Sequence, residues 1–308
     1  MAEASDTLHK RRMGAWRKHD RHWRDNRYVY AVVSRRSHGI SVGINLNPDK
    51  ACNFDCVYCQ VNRQLPPAVR RVDLDVLTVE LDRVLESERD GSLYAAPPFN
   101  ILAQDERGVR DIAFSGDGEP TTFRRLEEAV GIAAAARRRF GLDTTKIVLI
   151  TDAAYLKKPA IRAALGVMDQ NNGEIWAKLD AGTEEYFRAV NRPNVTLATV
   201  LDNILDAARV RPVVIQSLWF RVHGEPPAEQ ELEAYCRCLN SILADGGRLK
   251  SVQLYSIARD PAEPYASALT DPELDHLAAF ARERVPVPIE IFYGVPPLAP
   301  RSGGTKAI

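Results

Sequence analysis

The chain has 308 residues, of which 45% are hydrophobic and 27% are charged, and its 41 basic side chains balance its 41 acidic ones. This composition is ordinary for a globular protein, and no apolar run approaches the roughly 20 residues that a membrane-spanning helix needs. The polar start lacks the apolar core of a signal peptide, and five cysteines, three of them clustered, are not the pattern of a secreted disulfide framework. We therefore expect a cytoplasmic protein without a membrane partner, built as one large α/β domain or two smaller ones.

The first 38 residues are predicted to form a basic N-terminal arm. Residues 1–36 contain ten Lys or Arg and four Asp or Glu side chains, a net charge of +6, interleaved with Trp16, Trp23, Tyr28 and Tyr30. Cations and aromatic rings in this arrangement could hold the backbone and bases of RNA. The interpretation that we favour is a solvated segment that wraps the acidic remainder and packs its rings on the core.

Beyond the arm, short β-branched runs alternate with segments of helical periodicity. The predicted strands are 41–46, 112–115, 146–151, 175–180, 213–220 and 251–257, with one more at 288–293. The predicted helices begin near 74, 123, 157, 183, 197 and 232, and a last one begins at Asp271, which would be the N-cap before Pro272. Residues 91–110 look like an insertion, and residues 295–308 look like a flexible tail.

Six βα units in series predict a parallel sheet with right-handed crossovers. No linker divides residues 39–294, so we expect them to form one domain. In such sheets the functional side chains gather at the carboxyl ends of the strands.

Cys52, Cys56 and Cys59 follow the first predicted strand in a CxxxCxxC pattern. Closed structural zinc sites take four protein ligands, and iron–sulfur clusters are usually held by four thiolates. Three thiolates leave one position open, which predicts a reaction centre. The remote alternative is a structural zinc protein that binds RNA, but no histidine after His38 stands near the cysteines to complete such a site.

The cysteine pattern, with Gly116-Asp-Gly-Glu-Pro120 after the second predicted strand, resembles the radical S-adenosylmethionine (radical SAM) enzymes. The resemblance implies a partial (β/α)6 TIM-like barrel with N-terminal and C-terminal extensions. It also implies that Cys52, Cys56 and Cys59 hold a 4Fe–4S cluster whose fourth iron binds SAM. The implied reaction is reductive cleavage of SAM to a 5′-deoxyadenosyl radical, which abstracts hydrogen from a substrate.

The resemblance further implies which residues bind SAM. Gly118 and Glu119 would hold its amino group, because glycine allows a close backbone approach and a carboxylate pairs with an ammonium. Tyr58 would lie beside the adenine. The other implied positions, in the same turn or at strand ends that meet the methionine carboxylate or the ribose, are Ser115, Gly116, Asp117, Pro120, Thr151, Asp152, Lys178, Asp180 and Ser217. Lys178 departs from the pattern, since many relatives have a small hydroxyl residue there, and it could pair with a carboxylate instead.

An unidentified small molecule is the favoured substrate, and a reductant such as flavodoxin or ferredoxin is the expected partner. The candidate substrate-contacting or catalytic residues are Gln216, Gln253, Tyr255 and Arg259. Each of them could instead be a strand residue that satisfies a neighbouring polar group.

Further phrases resemble the Fe–S oxidoreductases related to the tRNA wyosine-synthesising enzymes, namely residues 45–48, 178–181, 191–193 and 252–255. They keep tRNA or RNA base modification as the alternative function. Those enzymes have additional upstream cysteines for a second cluster, and this chain has none before Cys52. Cys236 and Cys238 could serve a second cluster, but Cys236 lies on the apolar face of a predicted helix, where a structural thiol is commoner.

Overall fold

The structure is a computed structural model that describes residue 14 and residues 23–294. Most of the predicted basic arm and all of the predicted tail, residues 295–308, lie outside the described residues. The described strands are β1 Val29–Ser34, β2 Gly39–Ile44, β3 Val109–Phe114, β4 Lys146–Thr151, β5 Gly173–Lys178, β6 Val213–Leu218, β7 Phe220–Val222, β8 Leu249–Tyr255, β9 Ala266–Ala268 and β10 Ile289–Phe292. The described α-helices are α1 Leu74–Arg89, α2 Leu126–Arg139, α3 Pro159–Asp169, α4 Glu184–Asn191, α5 Leu197–Val210, α6 Glu229–Ala244 and α7 Asp271–Arg284.

Eight strands form one curled sheet in the order β1-β2-β3-β4-β5-β6-β8-β10. From β2 onward every neighbouring pair is parallel, whereas β1 is antiparallel to β2. Short β7 and β9 pair separately as an antiparallel ribbon. The half-barrel confirms the fold class that the sequence predicted.

The two faces of the sheet differ because successive strand residues point to opposite sides. The face toward the helices is apolar, as in β6, where Val213 and Ile215 join the main core. The inner face mixes a small apolar cluster around Trp176 and Val214 with buried polar side chains. The polar residues of the inner face include Ser41, Asp111, Gln216 and Gln253. The inner face of the half-barrel therefore presents both polar and apolar side chains.

Strand β1 is a feature that the sequence prediction missed. Residues 29–34 belong to the predicted basic arm, yet they add a buried antiparallel strand at the sheet edge. Glu80 of α1 accepts backbone hydrogen bonds from Arg27, Tyr28 and Val29 at 2.7, 2.8 and 3.1 Å. A buried carboxylate thus anchors the entry to the strand, and this long-range contact has no local sequence signal.

Two further details correct or refine the predicted elements. The N-cap of α7 is Thr270 rather than Asp271, and Thr270 and Glu273 form a capping box. The predicted insertion contains the short 3₁₀ turns Ser92–Ala95, Phe99–Ile101 and Gln104–Glu106, and its Tyr94 and Phe99 pack in the main core. Among residues 23–294, no helix combines the length and apolarity needed to cross a membrane.

Candidate cofactor and substrate site

The three cysteines lie on residues 51–59, which we call the cysteine loop, beyond the carboxyl end of β2. The loop runs along the end of α4 and is tied to it by backbone hydrogen bonds. Asp55 N–H donates to the Asn191 carbonyl at 3.2 Å, and Val57 N–H donates to the Val190 carbonyl at 3.0 Å. Phe54 forms an isolated antiparallel bridge with Pro193. Residues 191–193 therefore pack against the cysteine loop and hold it in place.

The cysteine side chains are free thiols of intermediate exposure. Asn191 Nδ2 lies 3.5 Å from Cys56 Sγ, and Arg63 Nη2 lies 3.7 Å from Cys59 Sγ, so two sulfurs accept hydrogen bonds. Burial raises the pKa of Cys52 to about 11 and that of Cys56 to about 12. Both thiols hold their protons at neutral pH, and a metal that binds them must displace these protons.

Within the described part of the chain, no three Cys, His, Asp or Glu side chains converge as a group that could hold a metal ion. The cysteine loop nevertheless has the donor chemistry of a cluster site, with three thiols on nine residues and N–H groups aimed at two sulfurs. The three candidate cysteine ligands are therefore present, but their side chains do not converge on one point.

Residues 115–120, which we call the Glu119 turn, follow β3 and pack directly on the cysteine loop. An added Cβ at Gly118 would lie 1.8 Å from the Ala51 carbonyl oxygen, so only glycine fits there. Glu119 N–H donates to the same oxygen at 3.2 Å. At Gly116 a Cβ would meet the Asn45 side chain at 2.3 Å, and Asn45 also binds Asp117 Oδ2 at 2.7 Å. The two predicted SAM-binding segments are thus adjacent.

The Glu119 carboxylate is only 3% exposed, and protein donors surround it. Its Oε1 accepts from Thr121 N–H at 3.0 Å, Thr121 Oγ1 at 2.6 Å and Thr151 Oγ1 at 2.7 Å, and its Oε2 accepts from Asp152 N–H at 2.8 Å. A carboxylate has about four lone-pair sites, so little capacity is left for another partner. Glu119 here joins the ends of β3 and β4, and its contact with the amino group of SAM stays a prediction.

Unpartnered acceptors lie beside this carboxylate. Asp152 Oδ2 and Asn53 Oδ1 are buried without a hydrogen-bond partner. The two side chains touch, because Asn53 Nδ2 donates to Asp152 Oδ1 at 3.3 Å. Burial, followed by the neighbouring Glu119 charge, raises the pKa of Asp152 well above its ordinary value. Two acceptors left unsatisfied indicate a place for a donor group of a ligand. Asn53 was not predicted to be a site residue, because nothing in the sequence distinguishes it except its position inside the cysteine loop.

Lys178 forms the centre of a second polar cluster on the inner face. Its Nζ lies 3.3 Å from Asp180 Oδ2 and 2.8 Å from the Tyr255 hydroxyl. Burial lowers the pKa of Lys178, but Asp180 and Tyr255 outweigh burial and raise it above the ordinary value. Asp180 also accepts hydrogen bonds from the Tyr58 hydroxyl, Asn191 Nδ2 and Leu218 N–H. The carboxylate partner suggested for Lys178 by the sequence is therefore Asp180.

The remaining predicted site residues fall in three places. Gln216 Nε2 donates to Gln253 Oε1 at 2.8 Å, and both side chains are buried on the inner face. Each thus satisfies a neighbouring polar group, and contact with a substrate stays a prediction. Arg259 follows β8 and lines the groove described below. Ser217 lies near the end of β6, and its contact with SAM stays a prediction. The strand alternation turns it toward the helices, where it hydrogen-bonds the Tyr235 hydroxyl at 2.6 Å.

A groove of about 870 Å³ opens beside the cysteine loop and the Glu119 turn. This volume lies in the range of small-molecule sites, roughly 300–1,000 Å³. Gln60, next to Cys59, lines it, and residues 65–69 form an apolar wall. Its charged lining residues are Arg24, Asp25, Arg27, Lys50, Asp117, Arg259 and Asp260.

Comparisons with known proteins found similar sequences and similar folds. No protein-family model matches the chain. A UPF0026 protein of Methanocaldococcus jannaschii is 29% identical over 178 residues, which cover 58% of this chain and 47% of that protein. A UPF0026 protein of Helicobacter pylori is 23% identical over 248 residues, which cover 80% of this chain and 71% of that protein.

A protein of Brachyspira hyodysenteriae named GTPase Obg is 22% identical over 280 residues, which cover 90% of this chain and 36% of that protein. The chain thus spans 36% and 47% of the first two curated relatives that it matches. The given sequence contains no Gly-x-x-x-x-Gly-Lys-Ser/Thr phosphate-binding loop.

Among solved structures, spore photoproduct lyase aligns over 79% of this chain and 74% of its own, with a TM-score of 0.51 and 10% identity. An archaeal TYW1 aligns over 81% and 73% with 13% identity, but its TM-score of 0.45 is too low to support an argument. The likeness to spore photoproduct lyase concerns the fold, which is of the radical SAM type. The chain is therefore similar in sequence to the UPF0026 proteins and similar in fold to spore photoproduct lyase.

Proposed function

We propose that this chain is a radical SAM enzyme in which Cys52, Cys56 and Cys59 hold a 4Fe–4S cluster. When bound, the cluster supplies the electron that cleaves SAM to methionine and a 5′-deoxyadenosyl radical. The observation that carries the proposal is the contact between Gly118 and Ala51, which joins the two motifs in one site. The parallel pairing of β2 and β3 brings the two segments to the same edge of the sheet, and glycine at position 118 lets them touch.

The residues around the loop have distinct proposed tasks. Asp152 and Asn53 would accept hydrogen bonds from the amino group or a ribose hydroxyl of SAM, because their free oxygens face no protein donor. Glu119 would hold the Glu119 turn in place through the hydrogen bonds that its carboxylate accepts. Tyr58, which packs edge-on against Phe220 at 5.4 Å, would stay beside the adenine with its hydroxyl on Asp180.

A small molecule is the substrate that we favour, and the radical would abstract one of its hydrogen atoms. Support comes from the buried amides of Gln216 and Gln253, which could orient a polar substrate within the half-barrel. Tyr255 lies on the same face, where its hydroxyl accepts a hydrogen bond from Lys178. An external one-electron donor, such as flavodoxin or ferredoxin, would reduce the cluster in a cytoplasmic compartment that keeps the thiols reduced.

RNA modification is the second candidate function. The groove beside the cysteine loop brings Arg24, Arg27 and Lys50 to one opening, and Arg24 and Arg27 belong to the predicted basic arm. Spore photoproduct lyase was solved with a dinucleoside photoproduct, so a nucleotide is compatible with the fold. Salt-sensitive tRNA binding that is lost in an Arg24→Gln, Arg27→Gln double variant would favour this function. Binding that is unchanged in the double variant, or no binding, would favour the small molecule.

Anaerobic reconstitution with iron and sulfide tests the cofactor assignment. We expect about four iron and four sulfide per chain and a brown protein. Cys52→Ser, Cys56→Ser and Cys59→Ser should each lower the iron content strongly, whereas Cys236→Ser, in a buried helix position, should not. A colourless protein that retains one zinc per chain through purification would overturn the proposal in favour of the zinc site.

A further inference from the structure

Asn191 lies between the cysteine loop and the polar cluster of Lys178 and Asp180 on the inner face. It is 1% exposed and ends α4. Its Nδ2 lies 2.9 Å from the Tyr58 hydroxyl, 3.2 Å from Asp180 Oδ2 and 3.5 Å from Cys56 Sγ. The amide has two N–H bonds, so one can serve the Tyr58 and Asp180 oxygens while the other points at the sulfur.

The backbone around Asn191 fixes this geometry. The next residue, Arg192, has a left-handed conformation with φ of 43°, which ends the helix. The side chain of Arg192 then ion-pairs with Glu263 at 2.7 Å and with Asp55 at 3.5 Å, and Asp55 lies in the cysteine loop. The Asn191 carbonyl in turn accepts from Asp55 N–H at 3.2 Å. The helix end and the cysteine loop are therefore held together at Asp55, the residue before Cys56.

We propose that Asn191 is a positioning residue that raises the reduction potential of a cluster bound at Cys52, Cys56 and Cys59, through its hydrogen bond to Cys56 Sγ. This inference rests on the proposed function. Reduction adds one electron to the cluster and makes its sulfur ligands more negative. An N–H dipole aimed at a sulfur stabilises that added charge, and hydrogen bonds to sulfur are an established influence on cluster potential. The burial of Asn191 strengthens the effect, because little water screens the dipole.

Arg63 provides an internal comparison. Its guanidinium donates to Cys59 Sγ over the longer distance of 3.7 Å. Its side chain is 28% exposed and also pairs with Asp55 at 3.9 Å. Solvent and a neighbouring carboxylate both weaken its field at the sulfur. We therefore assign the larger influence on the potential to the neutral but buried Asn191.

The test is a potential titration of the reconstituted full-length protein, with dithionite as the one-electron donor and the EPR signal of the reduced cluster as readout. Asn191→Leu removes the donor at similar volume, and Asn191→Ala is the second variant if the leucine variant does not fold. We expect both to shift the midpoint potential to more negative values than in the wild type. Arg63→Met, the matched control, should give a smaller shift in the same direction.

The outcomes separate the two claims. If the variants assemble the wild-type amount of cluster at an unchanged midpoint potential, Asn191 has only a structural role and the inference is overturned, while the proposed function stands. A lowered melting temperature alone does not support the inference, because any buried amide would show that. A wild-type protein that assembles no iron–sulfur cluster overturns the inference and the proposed function together.

Discussion

The Glu119 carboxylate accepts a hydrogen bond from the Thr151 hydroxyl at 2.7 Å, which links the turn after β3 to the last residue of β4. The same carboxylate accepts from the backbone N–H of Asp152, at 2.8 Å. Asp152 Oδ2, which lies beside the Glu119 carboxylate, is buried and has no hydrogen-bond partner. Glu119 thus ties the ends of β3 and β4 together, and the neighbouring Asp152 has a carboxylate oxygen without a partner.

Glu119→Gln should destabilise the protein. A glutamine amide nitrogen would face the Asp152 N–H or the threonine donors, which leaves buried donors unsatisfied. We expect a loss of about 1–3 kcal/mol in the free energy of unfolding, measured by urea denaturation. Glu127→Gln, at an exposed position on the first turn of α2, is the matched control and should change little.

SAM binding by the cluster-loaded protein distinguishes the two carboxylates. Asp152→Asn should weaken SAM affinity more than its effect on stability accounts for, because an amide nitrogen, which only donates, would replace the unpartnered Oδ2. If Glu119→Gln folds with wild-type stability and loses SAM binding selectively, then Glu119 binds SAM directly and the role assigned to its four internal donors is wrong.

Gly118→Ala should separate the Glu119 turn from the cysteine loop. Its new Cβ would lie 1.8 Å from the Ala51 carbonyl oxygen, so one of the two segments must move. We expect a lower iron content after reconstitution and a lower melting temperature. Gly131→Ala in α2 is the control, since a Cβ there meets nothing within 4 Å. Replacing this helical glycine should stabilise the protein by about 0.5–1 kcal/mol. Full iron loading of Gly118→Ala would refute the packing argument.

The buried pair Lys178 and Asp180 should show strong coupling. Lys178→Met leaves Asp180, whose side chain is 1% exposed, without its cation. Breaking a buried pair in this way costs about 3–5 kcal/mol of stability. The double variant Lys178→Met, Asp180→Asn should be less destabilised than the sum of the two single variants. Arg188→Met, which breaks an exposed pair with Glu184, should have a much smaller effect. Additive single effects would mean that the pair is not coupled.

Asp111 should make stability depend on pH. Burial raises the pKa of its carboxyl, and its Oδ2 has no partner beside a cavity of about 40 Å³. The folded protein therefore holds this proton more tightly than the unfolded chain does. The resulting stability is complete below the unfolded-state pKa of about 3.9 and is lost as pH rises through the higher folded-state pKa.

Asp111→Asn removes this ionisation, so the variant should gain stability relative to the wild type as pH rises above about 4. Urea unfolding of both proteins across that range measures the difference. The exposed Asp105→Asn serves as the control and should run parallel to the wild type. A wild type that becomes more stable than Asp111→Asn toward neutral pH would show that the carboxylate is stabilised in its charged form.

The sequence predicted the repeated βα units because alternating and helical patterns are local signals, and the cysteine motif is local as well. The features that were missed depend on distant contacts. Strand β1 is hidden among basic residues and becomes a strand only through its pairing with β2. Ser217 was predicted from its strand position alone, and only the fold shows that it hydrogen-bonds the Tyr235 hydroxyl on the helix side of the sheet. Asn191 contacts Cys56 across 135 positions, which spacing alone could not reveal.

Product analysis of SAM incubated anaerobically with the reconstituted protein and dithionite tests the central claim most directly. The account predicts 5′-deoxyadenosine and methionine in equal amounts from the wild type and from Cys236→Ser. It predicts neither product from Cys56→Ser. A wild-type protein that holds a complete 4Fe–4S cluster, binds SAM and forms no 5′-deoxyadenosine under reduction would contradict the account.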